Sequence, residues 1–423
     1  MVIPKGWKSR HNEKSFRNTI ELPEGWKEVC LKEIADIRLS GVDKKSHIGQ
    51  KTVLLCNYTD VYKNNYITNS IDFTEATATD SEIANFALRI GDVIITKDSE
   101  TPNDIGVPAI VVENLCNVLC GYHLALLRFK NNSVDSFYVA KAISHSNIRR
   151  QFARLANGIT RFGLTKSTIE NIRILLPPHS EQKGIGEILV LWDKAIEKTA
   201  TLIDSKAKLK KALMQQMLTG KLRFKEFSKL KFHRIELGEF LIPTTRPVPR
   251  PNSPYTALGI RSHGKGTFLK TVENPETVMM DTLYEVKEDN LIVNITFAWE
   301  GAIAIIKKSD EGALVSHRFP TYTFNREIAI PEYFRHVIQT KRFVHELGLV
   351  SPGGAGRNRV MSKTDFLNIV VSIPSVDEQK KIAVVLNGID KEIELLGKKL
   401  EYLKTQKKGL MQKLLTGKIR VKV

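Results

Sequence analysis

Residues 181–223 read EQKGIGEILVLWDKAIEKTATLIDSKAKLKKALMQQMLTGKLR, and residues 378–420 read EQKKIAVVLNGIDKEIELLGKKLEYLKTQKKGLMQKLLTGKIR, the same pattern 197 positions later without a gap. Nineteen of the 43 paired positions are identical, including Glu181/Glu378, Gln182/Gln379, Asp193/Asp390 and the exits Leu218-Thr219-Gly220-Lys221 and Leu415-Thr416-Gly417-Lys418. A chain that repeats itself in this way is a tandem duplication, and its fold is expected to carry a pseudo-dyad.

The apolar positions of the second copy run Ile382, Leu386, Ile389, Ile393, Leu396, Leu400, Leu403, then Lys407, Leu410 and Leu414. Steps of four and three make a heptad seam. The first copy keeps the register through Ile185, Leu189, Trp192, Ile196, Thr199, Ile203, Lys206, Lys210, Leu213 and Met217, and is weaker where Thr199, Lys206 and Lys210 replace hydrophobes. Ser180 and Asp377, just after Pro177-Pro178 and Pro374, are the expected N-caps. Gly220 and Gly417 are the expected C-terminal stops. Each helix should then run for about 38 residues, or roughly 57 Å at ~1.5 Å per residue. Packing the two copies antiparallel would bury both seams.

Each helix follows a strand-rich segment, and these segments are also distant copies. Trp26-Lys27-Glu28-Val29-Cys30-Leu31 matches Phe232-His233-Arg234-Ile235-Glu236-Leu237, and Gly91-Asp92 before Val93-Ile94-Ile95-Thr96 matches Asp289-Asn290 before Leu291-Ile292-Val293-Asn294. Gly106 to Ile110 matches Gly301 to Ile305, His123 matches His317, and Leu164-Thr165-Lys166 matches Met361-Ser362-Lys363. The expected fold class is α+β: two pseudo-symmetric strand-rich domains separated by two long antiparallel coiled-coil helices. The expected divisions are a basic extension at 1–20, a domain at 21–179, a helix at 180–221, a domain at 222–376, and a helix with its tail at 377–423.

Sixty-four Lys and Arg against 46 Asp and Glu give a net charge of +18, which favours a polyanionic partner, nucleic acid first. No apolar run approaches the ~20 residues of a membrane span and the start lacks a signal-peptide core, so a cytoplasmic protein with no membrane role is expected. Cys30, Cys56, Cys116 and Cys120 read as reduced core thiols, because Cys116-x3-Cys120 has neither zinc-knuckle spacing nor a second pair.

The order domain, helix, domain, helix, with a Pro-x3-Glu-Gln entry and a Leu-Thr-Gly-Lys exit on both helices, resembles the specificity subunit of type I restriction-modification enzymes. The resemblance runs from Leu22-Pro23-Glu24-Gly25-Trp26 to Arg420 and includes the stretches Tyr255 to Gly266 and Phe297-Ala298-Trp299-Glu300-Gly301-Ala302. It implies that each globular segment is a target-recognition domain reading half of a bipartite asymmetric site in double-stranded DNA, with the helices setting the unread gap. It implies two methyltransferase subunits and two motor-nuclease restriction subunits as partners. S-adenosylmethionine, ATP and magnesium would sit on those partners, with no cofactor or metal on this chain. The front end departs from the family, because Pro4-Lys5-Gly6-Trp7-Lys8 echoes Pro23-Glu24-Gly25-Trp26-Lys27.

Several segments imitate catalytic motifs. Gly259-x4-Gly264-Lys265 is close to a phosphate-binding loop, but Gly266 stands where the magnesium-holding Ser or Thr belongs and no helix opens after it. Asn252-Ser253-Pro254-Tyr255 matches an aminomethyltransferase tetrapeptide without an upstream glycine-rich loop for a methyl donor. Glu285-Val286-Lys287 is at most half of a nuclease site. No catalytic residue is therefore assigned. The candidates for DNA contact are loop residues able to reach base edges: Lys97, Asn103, Asn157, Arg161 and Phe162 in the first domain, and Arg261, His263, Lys265, Arg318, Arg357, Asn358 and Arg359 in the second. His123 and His317 read as hydrogen-bonded structural residues. Two rival readings remain at this level, a self-contained DNA methyltransferase or nuclease, and a coiled-coil scaffold without a DNA role.

Overall fold

The computed structural model describes residues 22–354 and 359–422. The expected extension at 1–20 and the candidates Arg357 and Asn358 lie outside the described residues. The chain divides into two compact units, one ending at Lys198 and resuming at Leu400, the other Thr199–Lys399.

The repeated segments form helices of 39 residues each, His179–Met217 and Val376–Leu414. All ten seam positions of each helix are buried or half-buried, as the heptad spacing requires. The first helical bonds run from Gln182 N–H to the Pro178 carbonyl and from Gln379 N–H to the Ser375 carbonyl. The N-cap positions therefore fall to Pro178 and Ser375, and Ser180 and Asp377 sit inside the first turn rather than capping it. At the other ends Gly220 (φ +74°) and Gly417 (φ +70°) adopt the left-handed conformation. Lys221 N–H then reaches back to the Gln216 carbonyl and Ile419 N–H to that of Lys413, which closes each helix.

Each unit contains an antiparallel pair of helix segments. In unit one Glu181 pairs with Arg420 and Asp193 with Lys407; in unit two Glu378 pairs with Arg223, Asp390 with Lys210 and Glu392 with Lys206. Partner numbers fall on one segment as they rise on the other, which only an antiparallel arrangement allows. Lys206 and Lys210, a weakness when read as failed hydrophobes, are here ion-paired across the seam. The repeated Glu-Gln entry has an equally specific use. Gln182 accepts from Asp135 N–H and donates to the Pro177 carbonyl, and Gln379 accepts from Ile330 N–H and donates to the Pro374 carbonyl, so each helix start is stitched to its own domain.

Unit one has a sheet in the order Ala35–Leu39, Leu124–Phe129, Val93–Thr96, Pro108–Val111, Tyr66–Ile67, and unit two has the corresponding order Leu241–Thr244, Thr321–Phe324, Leu291–Val293, Ile303–Ile305. The central strands read as continuous hydrophobic runs because both faces are covered. Val93 and Ile95 enter the core that holds Ile185 and Leu189 of the first helix, and Ile94 enters a second core on the opposite face. Leu291 and Val293 likewise join Ile382 and Leu386, while Ile292 faces the other way. A second sheet covers that other face in each unit. Its shared part is Thr74–Ala78, Lys51–Cys56, Val118–Cys120 in unit one and Thr267–Val272, Tyr255–Ile260, Leu314–Val315 in unit two. Unit two adds Thr282–Glu285 and Pro247–Pro249. The thiol expectation needs correction: Cys56 and Cys120 are buried on neighbouring strands, but Cys30 is half-buried and Cys116 exposed. Cys116 lies in a loop before Val118, outside the hydrophobic alternation.

Candidate nucleic-acid interface

In unit one the candidates gather where strand Val93–Thr96 leaves the sheet. Lys97 follows that strand, donating its N–H to the His123 carbonyl and accepting from Leu164 N–H. Its ammonium stands 4.4 Å from the centroid of the Tyr122 ring, and burial pulls its pKa down against the opposing pull of Asp98. The short strand Phe162–Gly163 pairs with Asp98–Ser99, and Asn157 bonds to Gly163 through both backbone groups. That pairing carries Arg161 to Asp98, Nη2 to Oδ1 at 3.0 Å, with His123 Nδ1 at 2.9 Å from the same carboxylate. Asn103 is exposed on the turn Pro102–Asp104, and the Arg149 guanidinium donates to its carbonyl and to that of Ile105 just after the turn. Phe162 is half-buried and packs on the core. A small cavity of about 170 Å³ opens beside this cluster, lined by Asn57, Tyr58, Tyr122 and His123 among others.

In unit two the corresponding strand Leu291–Val293 is followed, after a turn at 295–297, by the 3-10 turn Ala298–Glu300. Ile295 repeats the bonds of Lys97, donating to the Arg318 carbonyl and accepting from Met361 N–H. Arg318, not His317, thus occupies the place of His123, a one-residue shift that the sequence match did not show. Arg359 lays its guanidinium 5.4 Å from the Trp299 ring centroid, and its Nε is buried without a hydrogen-bond partner. His263 takes a left-handed backbone (φ +62°) and donates its N–H to the Glu300 carbonyl, while Ser262 bonds the Glu300 carboxylate. Arg261 turns back on its own hairpin, bonding the Thr267 carbonyl at 2.6 Å and covering Phe268. Lys265 lies on the wall of a cleft of about 830 Å³, with Lys307, Arg335 and Lys391 among its other lining residues. The loop resembling a phosphate-binding motif is the turn of a β-hairpin, followed by strand Thr267–Val272.

Each unit therefore sets a cation against an aromatic ring in the loops beyond its central strand, though from segments that are not equivalent in the repeat, Lys97 with Tyr122 and Arg359 with Trp299. A family model for the type I restriction modification DNA specificity domain matches residues 23–205 and 254–405, more than half of the chain. The chain belongs to that family. It is 26% identical to the "Putative type I restriction enzyme MjaX specificity subunit" of Methanocaldococcus jannaschii, covering 97% of this chain and 98% of the relative. It is 28% identical to the MjaVIII specificity subunit of the same organism over 70% of this chain and 73% of that one. The crystal structure of a type I restriction-modification system S subunit from M. genitalium has the same fold, with a TM-score of 0.57, 14% identity, and coverage of 94% and 98%. As a type I specificity subunit the chain serves DNA sequence recognition.

Reading the sequence of this specificity subunit missed the aromatic half of each cluster. Tyr122, the stacked pair Tyr58 and Tyr62 (5.6 Å), and Trp299 were not among the candidates, nor was Asp98. No repeated spacing signalled them, because Tyr122 and Trp299 stand at different points of the two copies and Tyr58 and Tyr62 lie on the short helix Tyr58–Lys63. Among the described residues no group of His, Cys, Asp and Glu could hold a metal ion, and no helix is long and apolar enough to cross a membrane.

Proposed function

We propose that this chain is the non-catalytic, DNA-reading subunit of a cytoplasmic type I restriction-modification complex. Each domain reads one half of a bipartite asymmetric site, and the helix pair sets the unread gap. The observation that carries this reading is the repeat itself: two domains keep one sheet order, yet the loops beyond the central strand hold different residues, Lys97 against Tyr122 in one and Arg359 against Trp299 in the other. Two copies of one reader with different contacts read two different half-sites. The chemistry would come from two methyltransferase subunits carrying S-adenosylmethionine, each flipping and methylating one base, and two motor-nuclease subunits using ATP and magnesium. The long helices support the idea of partners, because Leu191, Leu202 and Leu209 on the first and Val384, Leu395 and Tyr402 on the second are large and exposed.

The test is methylome sequencing of cells that express the chain with its methyltransferase subunit, against cells with that subunit alone. One new two-part motif is expected, together with a blank methyl-transfer assay for the purified chain by itself. Methyl transfer by the chain alone would instead favour a self-contained enzyme.

A further inference from the structure

Arg161 is held by a specific device. Its side chain is 60% exposed, whereas the Asp98 carboxylate that receives Nη2 is 17% exposed and the His123 ring 34%. His123 Nδ1 lies 3.0 Å from Asp98 Oδ2 and 3.0 Å from Arg161 Nη2, and it cannot both donate to the first and accept from the second. A bare lone pair facing a carboxylate would be repelled, so Nδ1 carries the proton and donates to Asp98. Arg161 Nη2 is also 3.4 Å from Nε2. Such similar distances to both ring nitrogens place it beside the ring rather than along either lone pair. The carboxylate is thus the one acceptor shared by both side chains, and the imidazole is packing against which the guanidinium rests. His123 is fixed in turn by the Tyr122 ring, edge-on at 4.9 Å, and by its carbonyl bond from Lys97 N–H. Among the described residues nothing holds Nη1 or Nε of Arg161.

We infer that Asp98 is a positioning residue that presets Arg161 to read a guanine in the first half-site, with His123 as its backing. The inference rests on the proposed DNA-reading function. A free arginine has many rotamers and loses them on binding, whereas one already tied at Nη2 to a partly buried carboxylate keeps its remaining donors aimed outward. Arginine reads guanine through two parallel donors to O6 and N7, a pattern that no other base pair presents in the major groove. The carboxylate also screens the positive charge, so that the side chain does not settle on any nearby phosphate. Unit two lacks this device: Ile295 and Thr296 follow its central strand where Lys97 and Asp98 follow the first, and its stacked arginine rests on Trp299 instead.

The full chain in complex with its methyltransferase subunits is tested against a duplex library randomised one position at a time. Arg161→Ala, Asp98→Ala, Asp98→Asn and the double variant Asp98→Ala with Arg161→Ala are compared with the parent. Arg161→Ala is expected to lower discrimination at one G·C pair of the first half-site by about 10–100-fold. Asp98→Ala should relax the same pair, and the double variant should be no worse than Arg161→Ala alone. Asp98→Asn keeps an acceptor oxygen and should retain much of the discrimination. Undiminished reading of the second half-site by the same molecule shows that each variant is folded. Unchanged discrimination in Asp98→Ala overturns the inference, and so does a uniform loss across all sequences with a smaller salt slope, which marks a phosphate contact. If the parent complex itself shows no sequence preference, the proposed function fails and the inference falls with it.

Discussion

Single side chains decide what each domain can recognise and how it responds to acid. Arg359 offers its guanidinium from the face of Trp299, with Nε buried and unbonded. If it is a base contact, Arg359→Ala should cost about 1–3 kcal/mol at one position of the second half-site and leave the first unchanged, as competition binding would show. Trp299→Ala should mimic it in part, because the stacked ring sets the rotamer. His336 in unit two is buried, bonds Asn387 through Nε2 at 2.9 Å, and leaves Nδ1 without a partner. Burial, with Lys210 close by, pushes its pKa down to about 4. The folded state therefore binds fewer protons than the unfolded state between roughly pH 6.5 and 4, and stability is lost as pH falls through that window. The loss amounts to about 3 kcal/mol at the low end. His336→Gln should flatten this slope when acid unfolding is followed by circular dichroism.

Among the helices, charge at the seam does what the heptad alone cannot. Asp193 receives Lys141 at 2.5 Å, Tyr66 at 2.7 Å and also Lys407, and both Asp193 and Lys141 are buried. Burial alone would raise the Asp193 carboxyl, but the two lysines outweigh it and hold it below the usual carboxylate range. Asp193→Ala would leave Lys141 buried and unpaired, at an expected cost of about 3–5 kcal/mol in urea unfolding. Glu392→Ala, which breaks a pair between the exposed Glu392 and the half-buried Lys206, should cost about 1 kcal/mol or less. The helices and seam were readable from sequence because a 3.5-residue period sustained over five heptads has one interpretation. The two-sided burial of Val93–Thr96 and Leu291–Val293 was readable for a similar reason, since unbroken apolar runs between turn residues imply covered faces. The ion pairs were not, because a lysine at a seam position looks like a defect until its partner 180 or more residues away is placed. The clusters around Asp98 and Trp299 escaped for the same reason, being assembled from loops whose approach no local spacing encodes.

At the scale of the whole molecule, the proposal is that two readers are joined by a helical spacer whose length selects the gap. Four residues inserted into a helix add about 6 Å and about 40° of rotation, at ~1.5 Å and ~100° per residue. One base pair adds about 3.4 Å and roughly 35°. Because Lys208–Lys211 lies beside the antiparallel partner stretch around Asp390, the insertion is best matched on both helices, repeating Lys208–Lys211 and Ile389–Glu392 so that the Lys210–Asp390 pair keeps a partner. The heptad then absorbs a stutter on each side. The most direct measurement is the methylome of cells carrying this lengthened chain with its methyltransferase subunit. The predicted result is both original half-site sequences, separated by a gap longer by one or two base pairs. Methylation retained at the original spacing alone, with none at longer spacings, would contradict a helical spacer that sets the gap.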